Sequence, residues 1–71
     1  MLFTAELART LRLIGDTPGL GVSWPTSRRP DLRRIFMKQS GYHVYFTVDV
    51  QSHVIDVLAI WGSARGRGPA L

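Results

Sequence analysis

The stretch that decides the fold is LRRIFMKQSGYHVYFTVDVQSHVIDVLAIW, running from Leu32 to Trp61. It reads as three strand-like runs separated by two polar turns. In LRRIFMK (32–38), Arg33, Ile35 and Met37 share one face, and Arg34, Phe36 and Lys38 share the other. QSG (39–41) is a turn. YHVYFTV (42–48) is aromatic and β-branched, as a strand should be. Tyr42, Val44, Phe46 and Val48 point one way, and His43, Tyr45 and Thr47 the other. DVQSH (49–53) is a polar connection. VIDVLAIW (54–61) is almost continuously apolar, which predicts a central or well-covered strand. Links this short favour an antiparallel meander.

Working outward toward the N-terminus, GDTPGLGVSWPTSRRPD (15–31) is turn and loop, dense in Gly and Pro at its start. Trp24 is a large ring in that loop, and its simplest role is to cover an edge of the core. Before it, FTAELARTLRLI (3–14) has Phe3, Leu7, Leu11 and Ile14 at helical spacing. Gly15 and Pro18 supply the stop. The expected fold class is therefore α+β. One N-terminal helix packs on a small antiparallel meander of about three strands, and a basic C-terminal tail, GSARGRGPAL (62–71), follows.

The chain has 71 residues, enough for a single domain, 1–71. A domain of this size buries only about 60% of its unfolded surface, so it needs tidy packing or a partner. There is no cysteine, which removes disulfides and thiolate metal sites. The two histidines, His43 and His53, do not make a metal cluster, and no cofactor is expected. The residues are 45% hydrophobic and 20% charged, as in globular proteins. No run is long enough to span a bilayer and no signal peptide is visible, so a cytoplasmic protein with no membrane partner is expected. The net charge of +4 favours a polyanionic partner.

Arg28, Arg29, Arg33, Arg34 and Lys38 lie close together in the sequence, and Arg65 and Arg67 follow in the tail. An arginine fork suits phosphate, which gives affinity without base choice. The plainer alternative is a solvated basic face. His43 and Tyr45 project from one face of their strand. With arginines beside them they are the parts needed to cleave RNA through attack of its own 2′-hydroxyl on the adjacent phosphate. The alternative is two ordinary residues on a half-exposed sheet. The carboxylates Glu6, Asp16, Asp31, Asp49 and Asp56 are scattered and suggest no acid/base pair. The tail reads either as a frayed end or as a segment that orders on a polyanion or an acidic partner.

Taken in order, LRRIFMKQSGYHVYFTVD, then VIDVLAIWGSARGRGPAL, with TPGLG (17–21) ahead of them, resemble the RelE/ParE superfamily of bacterial type II toxins. The resemblance implies a small antiparallel sheet with helices on one face, and a cognate antitoxin that folds onto the toxin. It implies a growth-inhibiting toxin of the RelE kind, a metal-independent endoribonuclease acting on messenger RNA in the ribosome. The alternatives it leaves are a ParE-like inhibitor of DNA gyrase and an inactive, shortened toxin that only binds antitoxin. Carried across, His43, Tyr45, Arg65 and Arg67 would be catalytic, and Arg28, Arg29, Arg33, Arg34 and Lys38 would bind nucleic acid. Two positions depart from the family pattern: Gly62 stands where many relatives have His, and no tyrosine follows the last strand. The family's first strand and helix have no counterpart ahead of the helix at 3–14. A sheet lacking that strand would have an open edge, which invites a homodimer or an obligate complex.

Overall fold

Helix α1 (Leu2–Asp16) lays its apolar stripe of Phe3, Leu7, Leu11 and Ile14 onto one face of a sheet in the computed structural model of the chain. The structure describes residues 2–66 and 68–71, except for the side chains of Leu2 and Arg65. The helix closes where the Thr17 N–H donates to the Leu13 carbonyl (2.9 Å), just before Pro18. Ile14, Met37, Val44 and Phe46 form the buried core, with Leu20, Ile35, Val48 and Ile55 packed around it.

The sheet has four strands rather than three. They are β1 (Val22–Ser23), β2 (Arg33–Met37), β3 (Tyr42–Asp49) and β4 (Val54–Gly62), antiparallel in the order β1-β2-β3-β4. β1 lies inside what reads as loop. It is only two residues long, too short for any periodicity to reveal. Gly21 makes it possible. Its φ is +92°, and a Cβ there would stand 2.9 Å from the Arg34 carbonyl oxygen. With no side chain at that point the two backbones meet, and Trp24 N–H extends the pairing to the Leu32 carbonyl (2.8 Å).

β3 is the covered strand, with Val44, Tyr45 and Phe46 all buried. The expectation that residues 54–61 lie centrally is corrected: β4 is an edge strand, and Val54 and Val57 are exposed. Its apolar run is accounted for by its two faces. Ile55 joins the core under α1, while Trp61 lines a cleft on the opposite face. The register steps from Tyr45↔Ala59 to Phe46↔Val57, which leaves Leu58 as an extra residue in a bulge.

One long-range fastener ties helix to sheet. The Glu6 carboxylate accepts the backbone N–H groups of Gln39 and Ser40, both at 2.8 Å. Arg9 adds a hydrogen bond to the Gln39 side chain at 3.1 Å. Burial pushes the Glu6 carboxyl up. The N–H groups of that turn and the Arg9 charge outweigh it, so its pKa lies below the ordinary carboxylate value.

After β4 the chain makes a short 3₁₀ turn (Ser63–Arg65), and Gly66 reverses it with φ of +78°. Gly68 then sits against Tyr45: a Cβ there would be 3.2 Å from the Tyr45 hydroxyl oxygen. Gly68 therefore lies on the face of the sheet opposite α1.

Candidate functional site

Strand alternation decides which arginines are available. Arg33 and Arg34 are adjacent, so their side chains leave β2 on opposite faces. Arg33 leaves on the α1 side. Its Nε donates to the Leu20 carbonyl (3.1 Å), and its Nη2 donates to the carbonyls of Gly19 (2.8 Å) and Gly21 (2.9 Å). It is a loop fastener that closes the 19–21 bend.

Arg34 leaves on the other face and stacks. Its guanidinium carbon lies 3.6 Å from the centroid of the Trp24 ring and 6.0 Å from that of Tyr45. Among the described residues its side chain makes no hydrogen bond or ion pair. Its position is fixed by π faces, and its five N–H donors are left for something else.

The strand register brings His43 in. It pairs with Phe36 on one side and Trp61 on the other, while Arg34 pairs with Tyr45. The His43 ring lies 4.8 Å from Phe36 and 6.4 Å from Tyr45, centroid to centroid. Its Nδ1 is buried with no hydrogen-bond partner among the described residues. A buried ring nitrogen without a partner is costly and calls for an explanation. Desolvation first, and the Arg34 charge second, hold the His43 pKa below its ordinary value of 6.5. At neutral pH the imidazole is uncharged and able to accept a proton.

These groups border a cleft of about 240 Å³ lined by Trp24, Arg34, His43, Tyr45, Trp61, Gly62, Ser63, Gly66 and Gly68. That volume falls just below the usual small-ligand range of roughly 300–1,000 Å³, so one compact group fits at a time. Tyr45 is only 2% exposed. Burial closes its ring to a stacking base.

The other expected site residues are dispersed. Lys38 lines a separate groove between α1 and β2, together with Arg9, Arg12, Leu13 and Phe36. Arg28 and Arg29 are exposed in the loop before β2 and do not border the cleft. The Arg65 backbone belongs to the 3₁₀ turn beside the cleft. The Arg65 side chain and Arg67 lie outside the described residues. Sequence reading missed the part played by Trp24 and Trp61. The available signal was a loop tryptophan nine residues ahead of an Arg-Arg pair in a strand.

No family model matches this chain, and neither a curated protein nor a solved structure does. No helix among the described residues is long and apolar enough to cross a membrane.

Proposed function

We propose that this chain is a growth-inhibiting toxin of the RelE/ParE kind that cuts messenger RNA on the ribosome, in the cytoplasm. The observation that carries this reading is the Arg34–His43 pair. A guanidinium held by stacking on Trp24, with its donors unspent, lines the same cleft as the His43 imidazole, whose pKa is lowered by burial first and by the Arg34 charge second. That is an anion-binding group beside a proton acceptor. The order of residues from Leu32 to Leu71, which resembles this superfamily, supports the same reading.

In the step this arrangement suits, an RNA phosphate sits on the Arg34 fork. The neighbouring ribose 2′-oxygen attacks the phosphorus while His43 accepts the 2′-hydroxyl proton. The bond from phosphorus to the 5′-oxygen breaks, and that oxygen takes a proton from water. The products are a 2′,3′-cyclic phosphate and a 5′-hydroxyl. Arg34 offsets the charge that grows on the phosphate oxygens, an effect of roughly 10²–10³ in rate for a well-placed donor. His43 as general base contributes about 10²–10⁴.

An acidic, amphipathic antitoxin segment is the partner proposed for the rest of the surface. The chain carries net charge +4, and Leu13, Phe36 and Val57 are exposed. The outer edge of β4, unpaired among the described residues, offers a second place for such a segment or for another copy of the chain to add a strand.

The test is induced expression in a bacterium, following labelled methionine and thymidine incorporation together, beside an Arg34→Ala/His43→Ala variant. Early loss of methionine incorporation that the variant restores is the expected result. Early loss of thymidine incorporation would replace this reading with gyrase inhibition. Unimpaired growth would replace it with an inactive toxin.

A further inference from the structure

We infer that Trp24 is the base-stacking platform of this cleft, and that the ligand is a single nucleotide unit of single-stranded RNA with its base extruded. The inference rests on the reading of Arg34 as the phosphate contact and adds what the base does. Phosphate contacts alone do not distinguish a strand with bases from one without. A base must find an aromatic plane or an edge to bond.

Among the rings near the cleft, Tyr45 is closed by burial. Trp24 is 41% exposed and borders the cleft. The Arg34 guanidinium covers one face of its indole at 3.6 Å. The exposure therefore belongs to the opposite face and the ring edge. A base laid on that open face continues a stack of base, indole and guanidinium. Its own phosphate can then reach the edge of the same guanidinium, where the donors are unspent. Trp24 is firmly held, since its backbone N–H is bonded to Leu32 and its ring is pinned by Arg34. A rigid platform costs little ordering entropy on binding. The cleft volume of about 240 Å³ holds one compact group such as the phosphate and excludes a duplex. Stacking tolerates any base, so the platform adds affinity and strand selectivity without a sequence code.

The chain has two tryptophans, so replacement with 5-fluorotryptophan gives two ¹⁹F signals, assigned with Trp24→Phe. The probes are a hexamer of riboadenylate and a hexamer of the same ribose-phosphate backbone lacking bases. The hexamer with bases is expected to bind about 5–150-fold more tightly, the equivalent of one stacked base, and to shift the Trp24 signal. Trp24→Ala should remove that advantage, and Trp24→Phe should keep most of it. Equal affinity for the two probes with no shift at Trp24, while Arg34→Ala still abolishes both, overturns the platform and leaves the phosphate reading standing. A shift confined to Trp61 overturns it as well. Failure of both probes to bind overturns the platform together with the phosphate reading beneath it.

Discussion

Two neighbouring arginines have opposite uses, and the difference is one of face. Arg33 spends its donors on three loop carbonyls, whereas Arg34 is stacked and unspent. Arg33→Ala should therefore cost about 2 kcal/mol of stability, the worth of a lost set of charged hydrogen bonds. The shift in urea midpoint measures it. Arg34→Ala should move that midpoint much less and weaken nucleic-acid binding instead. Titration gives a second prediction at this scale. Glu6 and Asp49 both have pKa values held below the ordinary carboxylate value, Asp49 chiefly by the Ser52 backbone N–H. Their contribution is present above the unfolded carboxylate pKa and is lost as pH falls through the lowered folded values. His43 is also lowered, so the unfolded chain binds more protons just below pH 6.5, and stability declines there first. A melting curve against pH should show this upper step, and His43→Gln should erase it while leaving the acid step.

Among the elements, the helix and β3 were legible from their side-chain periods, and β2 and β4 from apolar runs bounded by polar turns. Phe3, Leu7, Leu11 and Ile14 do pack as one stripe, and Val44 and Phe46 do face it. β1 was hidden because a two-residue strand has no period and its residues sit among Gly and Pro. The edge position of β4 was hidden because a continuous apolar run reads the same whether strands or faces cover it. Glu6 looked idle because its partners lie more than thirty residues away. Of the cleft, the shared face of His43 and Tyr45 was legible, and so was the placing of Arg33 with Ile35 and Met37. That Trp24 would fold over Arg34 was not, since it depends on β1. A test follows for this element. Gly21→Ala puts a Cβ against the Arg34 carbonyl at a positive φ, and should cost about 2 kcal/mol or more. Because β1 carries the chain to Trp24, the same change should loosen Trp24 from Arg34, seen as an altered Trp24 signal in ¹⁹F spectra.

The whole molecule is a slab of 32 × 27 × 15 Å with 4983 Å² of accessible surface. A compact monomer of this mass would expose roughly 4,450 Å². One helix covers a four-stranded sheet, and Leu13 on the helix and Phe36, Val54 and Val57 on the sheet are exposed. Stability should accordingly be modest and rise when a ligand binds the folded form, by about 2.7 kcal/mol at a ligand concentration 100 times Kd. Binding to single-stranded RNA should weaken with salt. Each phosphate contact contributes a slope of roughly −0.7 in log K against log salt, so Arg34→Ala should flatten the slope by about that amount.

RNA cleavage in the Arg34–His43 cleft is the activity proposed for this chain. The most direct measurement mixes the purified chain with translating ribosomes carrying end-labelled messenger RNA and maps the ends produced. Discrete cuts ending in a 2′,3′-cyclic phosphate are expected, slowed at least 100-fold by His43→Ala and by Arg34→Ala in folded protein. Intact message with the unmodified chain, or cutting that both variants retain, would contradict the proposed cleavage.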